Sequence, residues 1–270
     1  MKLEDVKTYL KGIGLYQGEL DNEYGPLVKV AIEAMFLNQG VTGFAGWSKD
    51  RRIIAAEQLL TRIENIDIGR IDGLKGPQTD YAFEVFDGRK RGDASVETWR
   101  DGEENEPPLV APKAAAQIWP LQRDCLKFYG PVGANQTKLQ FPYPMKIAWD
   151  LKKTTRSTSC HEKVHDVAAR IFDRVLDHYG PEKISALRLD LFGGCLNVRK
   201  MRGGSAWSMH SWGIAFDFDP ERNQLKWGRD RAAFAKPDYA MWFKLWEEEG
   251  AVSLGRARNY DWMHTQFARL

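Results

Sequence analysis

The stretch SAWSMHSWGIAFDFDPE, Ser205–Glu221, decides how the C-terminal half of the chain is read. From Gly213 onward, apolar residues alternate with small or acidic ones, the period of a half-buried strand. Ile214, Phe216 and Phe218 share one face; Gly213, Ala215, Asp217 and Asp219 share the other. The aromatic face is expected to pack inward, while Asp217 points into a site where the small Gly213 and Ala215 leave room. Two further strand-like runs lie upstream. ALRLDLF (Ala186–Phe192) alternates with the same period, and CLNVRKM (Cys195–Met201) follows the Gly193-Gly194 break. Helices are predicted from about Cys160 to Tyr179 and from Asp238 to Glu249. The second places Tyr239, Trp242, Phe243 and Trp246 on one side and is closed by Gly250. Helices and strands in separate runs predict an α+β domain with a central antiparallel sheet.

The same stretch carries chemistry. It reads Ser208-x-His210-x-x-Gly213-x-Ala215-x-Asp217, and Asp261-Trp262-Met263-His264 stands near the C-terminus. His210, Asp217 and His264 would offer two imidazoles and a carboxylate to Zn²⁺, leaving a fourth position for water as a catalytic site requires. Asp261, three residues before His264, could stand beside that water as base. Ser208 reads as a hydrogen-bonding residue behind the ligands, since the sequence places no base to make it a nucleophile. Asp219 reads as a turn residue before Pro220.

These residues resemble the VanY-like, or LAS, group of zinc peptidoglycan peptidases, whose hallmark is S-x-H-x-x-G-x-A-x-D followed far downstream by an acidic residue three positions before a His. Every fixed position of the first motif is present. Asp261 stands where many members carry Glu, a form that looks like the phage-endolysin branch. The resemblance implies a hydrolase of stem peptides, cutting L-Ala-D-Glu, with D-Ala-D-Ala carboxypeptidase activity as the alternative. It also implies an Arg near the substrate, upstream of the first motif. Arg199 and Arg202 are available, and Arg199, on the expected strand, is favoured to polarise a carbonyl oxygen or hold a carboxylate.

A rival metal motif is HEKVH, His161–His165. On a helix, H-E-x-x-H holds zinc and a general base in many proteases. Here Ser159 and Glu162 have capping-box spacing, which would give Glu162 a structural task and place His161 in the first helical turn, where the helix dipole disfavours a dication. No Gly and His follow at the spacing of the extended motif. The segment is read as structural, with His161 and His165 bordering the stripe Val164, Ala168, Ile171, Phe172 and Val175.

The N-terminal part contains a repeat. GELDNEYGPLVKVAIEAM (Gly18–Met35) and GRIDGLKGPQTDYAFEVF (Gly69–Phe86) align without gaps at an offset of 51 residues. Each copy follows an amphipathic segment, VKTYLKGIGLY or IIAAEQLLTRI, and each carries a Gly-Pro expected to start a helix. The pattern resembles the three-helix peptidoglycan-binding module of cell-wall hydrolases, whose signature is Asp-Gly-x-x-Gly-Pro-x-Thr. In the second copy this falls on Asp72, Gly73, Gly76, Pro77 and Thr79; the first departs from it at Asn22 and Val28. Residues 101–117 hold four acids and three prolines with little periodicity and read as a linker. The expected organisation is one helical module over 1–45, a second over 46–100, the linker, and a zinc peptidase domain over 118–270.

The net charge is +2, with 13 Lys+Arg against 14 Asp+Glu in residues 1–92 and 26 against 23 thereafter, so no basic surface argues for nucleic acid. No apolar run is long enough for a membrane span. The start, with Glu4 and Asp5 and no apolar core, does not read as a signal peptide. Three widely spaced cysteines fit a reducing compartment. The resemblance therefore implies a monomeric, endolysin-like enzyme made in the cytoplasm. It would reach bacterial peptidoglycan through a membrane lesion made by a holin. A catalytically silent wall-binding protein is the alternative from another class.

Overall fold

The computed structural model describes residues 1–103, 109 and 118–270. Most of the expected 101–117 linker lies outside them. The chain divides into two compact units, Met1–Trp99 with Arg202–Gly204, and Arg100–Met201 with Ser205–Leu270.

The first unit is helical: α1 (Leu3–Gly12), α2 (Pro26–Asn38), α3 (Lys49–Ile63), α4 (Pro77–Arg91) and the short α5 (Ser95–Thr98). Both Gly-Pro pairs open a helix as expected, with Pro in the first turn where its missing N–H is no loss. One apolar cluster joins Val6 and Leu10 of α1, Ile32 and Phe36 of α2, and Leu59 and Leu60 of α3. A second gathers Ile66, Ile68, Ala82, Phe83, Val85 and Val96. Helix α3 thus completes the core of the first repeat while leading into the second.

The repeat reaches further than the aligned segments. Lys7 and Gln58, also 51 residues apart, are both buried helical side chains that reach into the turn that follows. Lys7 Nζ donates to Asp21 Oδ1. Gln58 Oε1 accepts from the backbone N–H of Asp72 at 3.1 Å and of Gly73 at 2.8 Å, while its Nε2 donates to Leu74 O at 3.1 Å and Thr79 Oγ1 at 3.2 Å. Asp72 Oδ1 closes an Asx turn on Leu74 N at 2.9 Å. Gly73 has φ 68°, and a Cβ there would strike the Arg51 carbonyl, so only Gly fits. Gly76 caps α4 and Pro77 is its first residue. Each signature residue therefore has a task in holding the turn against α3.

The second unit is α+β and includes the short helix α6 (Cys125–Tyr129) ahead of its strands. Its sheet has the order β2-β1-β3-β4-β6-β5, from β1 (Gln136–Ile147), β2 (Asp150–His161), β3 (Leu191–Gly194), β4 (Ala215–Phe218), β5 (Val252–Ser253) and β6 (His264–Gln266). The pairs are antiparallel except β1 with β3, so the sheet is mixed and not the antiparallel one expected. The physical reason is the connection: the long route through β2 and α7 (Glu162–Ala186) frees β3 from the antiparallel pairing that a short hairpin imposes. Leu139, Phe141, Tyr143 and Met145 alternate along β1 into the core. Pro142 and Pro144, which cannot donate to a ladder, fall where the register to β2 shifts between Gln140 and Met145. On this apolar face Phe172 of α7 meets Phe141 at 5.0 Å, Phe218 at 6.1 Å and Trp246 of α8 (Ala240–Glu248) at 5.7 Å, centroid to centroid.

Several local expectations are corrected. Ser159 lies in β2 opposite Lys138, so it cannot cap α7 and no Ser159–Glu162 box forms. His161 is the cap instead, its Nδ1 accepting from Lys163 N at 3.1 Å. Residues 187–190 form a turn, with Arg188 at φ 60°, and the strand begins only at Leu191. Cys195–Met201 is not a strand; Lys200 makes a single bridge to Trp207. Gly213 precedes β4 in the left-handed region, closing a 3-10 turn, and the space beside it is taken by Gln136 Oε1 rather than left for a ligand.

Candidate metal centre

Two neighbouring strands and one short turn build the site. Ser208 caps the 3-10 turn Met209–Trp212, its Oγ accepting from His210 N at 3.4 Å, which fixes the backbone that carries His210. Asp217 on β4 stands in register opposite His264 on β6. All three side chains are buried, 3–5% exposed.

Their donor atoms converge. Asp217 Oδ1 lies 3.0 Å from His264 Nδ1 and 3.2 Å from His210 Nε2, and the two nitrogens are 3.2 Å apart. Ligands bound at about 2.0–2.1 Å in a tetrahedron lie roughly 3.3 Å from one another, so this triangle is close to one face of such a site. The far ring nitrogens explain the orientation. His210 Nδ1 faces the Cys195 carbonyl at 2.6 Å, and His264 Nε2 faces Gln266 Oε1 at 3.0 Å. A carbonyl can only accept, so His210 carries its proton on Nδ1. Gln266 Nε2 donates to Ala268 O at 2.8 Å, which turns Oε1 toward His264 and holds that proton on Nε2. Two imidazole lone pairs and a carboxylate oxygen are then aimed at one point, an arrangement that only a cation or added protons can satisfy. Among the described residues, this is the one group of three or more His, Cys, Asp or Glu whose ligand atoms lie within 4.8 Å of one another.

The electrostatics suit a cation. Burial pushes the His210 imidazole below its ordinary pKa despite the pull of Asp217, which keeps the ring neutral and its lone pair available. Burial alone would raise the Asp217 carboxyl, but the positive charge and hydrogen bonds that His210 and His264 offer when protonated outweigh it and hold it well below the usual carboxylate range; with both rings neutral, that compensating charge has to come from elsewhere. The cysteines do not join the centre. All three are buried and free, and burial pushes the Cys125 and Cys160 thiols up to about 12 and the Cys195 thiol well above its usual value.

The other expected residues differ in where they lie. Asp261 is buried, stands outside the converging triangle, and adopts φ 54°, a left-handed conformation that Asp tolerates better than most residues. Its N–H donates to Leu225 O at 2.8 Å and its carbonyl accepts from His264 N at 3.0 Å. Its Oδ1 has no hydrogen-bond partner among the described residues. Arg199 is buried; its backbone is tied to Ser208 and Ser211, its Nη1 donates to Lys200 O at 2.9 Å, and its charge contributes to lowering His210. Arg202 groups instead with the first unit, where its Nε donates to Gln78 Oε1 at 3.2 Å. Asp219 is a fully buried partner of Arg188 and Arg222 rather than a ligand.

HEKVH does not converge. His161 is fully buried, with Nε2 on the Tyr129 carbonyl at 2.9 Å and its ring against that of Tyr129. His165 is half-buried and faces Asp166 at 2.7 Å. Sequence reasoning missed Gln266, whose signal was available: on a strand, a residue two positions after a ligand shares its face. It also missed the Cys195 carbonyl, which no side-chain pattern encodes. No helix among the described residues is long and apolar enough to cross a membrane. Comparison with protein-family models, curated proteins and solved structures finds no match for this chain.

Proposed function

We propose that this chain is a zinc peptidase of peptidoglycan stem peptides, with the helical unit holding it to the wall. One observation supports the reading above all: His210 Nε2, His264 Nδ1 and Asp217 Oδ1 face one another at 3.0–3.2 Å, with both rings held in the metal-binding tautomer. Two nitrogens and one oxygen are a donor set that suits zinc. Zinc bound there would lower the pKa of water and polarise the scissile carbonyl. Asp261 Oδ1, with no other partner among the described residues, accepts the proton of the attacking water and returns it to the departing amine. Arg199 supplies positive charge for the carbonyl oxygen or a stem-peptide carboxylate. The motif form favours the L-Ala-D-Glu bond.

In the helical unit, Asp72, Gly73, Gly76, Pro77 and Thr79 hold the turn whose surface meets the wall. Tethering raises the local substrate concentration on an insoluble polymer. The test is mass spectrometry of purified sacculi digested with the zinc-loaded chain. New N-terminal D-Glu is expected, abolished by a chelator, and lost in Asp261→Ala while zinc is retained. Free D-alanine in its place would identify a carboxypeptidase. Release that survives Asp261→Ala would end the assignment of the base.

A further inference from the structure

Arg100 lies upstream of the segment read as a linker, yet it belongs to the second unit and is 6% exposed. A buried guanidinium must be paired, because desolvation of an isolated charge is expensive. Its surroundings supply the pairing. Nε contacts Glu103 Oε2 at 3.3 Å, Nη1 lies 4.0 Å from Asp261 Oδ2, and the guanidinium carbon sits 5.0 Å from the centre of the Tyr260 ring. Tyr260 in turn donates its hydroxyl to Glu103 Oε2 at 2.5 Å. Burial pulls the guanidinium pKa down, but Tyr260, Asp261 and Glu103 outweigh it, so the cation persists. The consequence for Asp261 is asymmetric. Oδ2 faces the Arg100 guanidinium at 4.0 Å, a charge contact rather than a hydrogen bond, whereas Oδ1 has no hydrogen-bond partner among the described residues.

We infer that Arg100 is a positioning residue for the reaction: braced by Glu103 and Tyr260, it anchors Asp261 Oδ2 so that Oδ1 is presented to the reacting water. This rests on the peptidase reading. It also means that the catalytic machinery begins before residue 118 and includes the Arg100–Glu103 segment. The aspartate needs such a brace because no side-chain hydrogen bond fixes its Oδ1, and misplacement by about 1 Å would cost about 10²-fold in rate.

The test uses the full zinc-loaded chain and a soluble disaccharide–stem-peptide muropeptide. Arg100→Gln is expected to lower kcat by about 10²-fold while KM stays within about two-fold of the wild type, since a positioning role acts on the transition state. Zinc stoichiometry is expected to remain unchanged, and Arg100→Lys to recover part of the loss. In the Asp261→Asn background, Arg100→Gln is expected to add nothing, because the two residues act as one unit. Wild-type kcat in Arg100→Gln, or a loss that multiplies with that of Asp261→Asn, overturns the proposal. If Arg100→Gln does not fold, Tyr260→Phe decides: a lowered kcat with unchanged zinc supports the brace and an unchanged kcat overturns it. A wild-type chain that releases no product removes the peptidase reading together with this proposal. An active wild type matched by Arg100→Gln removes the role of Arg100 alone.

Discussion

Replacing Gln266 with Ala probes the metal centre without touching a ligand. In the wild type, Gln266 Oε1 accepts from His264 Nε2–H at 3.0 Å and so leaves the Nδ1 lone pair able to take a cation. The substitution leaves the ring two options. It can keep the proton on Nε2, as an unpaired donor in a buried site, at a cost of about 1–3 kcal/mol. Or it can shift the proton to Nδ1, which then donates to Asp217 Oδ1 at the observed 3.0 Å and no longer binds metal. The second option is open only to the metal-free protein and relieves up to that cost, so the zinc dissociation constant should rise about 10–100-fold. Competition with a fluorescent chelator measures it directly. Gln266→Glu, which keeps an acceptor at that position, should lose much less. A Gln266→Ala protein that binds zinc within about two-fold of the wild type would refute the tautomer argument and with it the reasoning that the site is built for a cation.

Two further tests address other parts of the chain. His161→Ala should retain wild-type zinc binding while losing about 1–2 kcal/mol of stability, because it removes the α7 cap and the contact with the Tyr129 carbonyl; chelator competition and denaturant unfolding separate the two effects. In the helical unit, burial raises the Glu57 carboxyl from 4.5 to about 7. The folded pKa is above the unfolded one, so the stabilisation is complete below about pH 4.5 and is lost as pH rises through 7. The span is about 3 kcal/mol between pH 4.5 and 8. Hydrogen exchange of the α3 amides in the full chain, followed across a urea series, should show it, and Glu57→Gln should flatten the dependence.

The pattern of residues along the chain was sufficient for several elements that local periodicity and local turns control. Alternation placed β4 with Phe216 and Phe218 inward; helical spacing placed α8; and each Gly-Pro pair placed a helix start. The spacing within Ser205–Glu221 and Asp261–His264 also singled out the three residues that converge. Where the local signal was ambiguous, tertiary contacts decided. Ser159 has the spacing of a cap, but pairing with Lys138 takes it into a strand. The β1 and β2 hairpin escaped notice because Pro142 and Pro144 interrupt a run that nonetheless alternates, and the sheet tolerates them only because its register shifts there. ALRLDLF alternates like a strand, yet Arg188 turns the chain so that only its end joins the sheet.

Two features were beyond any reading along the chain: the groups that face the outer nitrogens of the imidazoles and the contact of Arg100 with Asp261. Both depend on groups distant in sequence or carried by the backbone, namely the Cys195 carbonyl for His210 and Arg100 with Glu103 for Asp261. Composition and spacing specify which atoms can bond. Only the folded chain, by excluding water and bringing remote groups within about 3–4 Å, specifies which of them do, because hydrogen bonds and charge pairs weaken steeply with distance and with solvation.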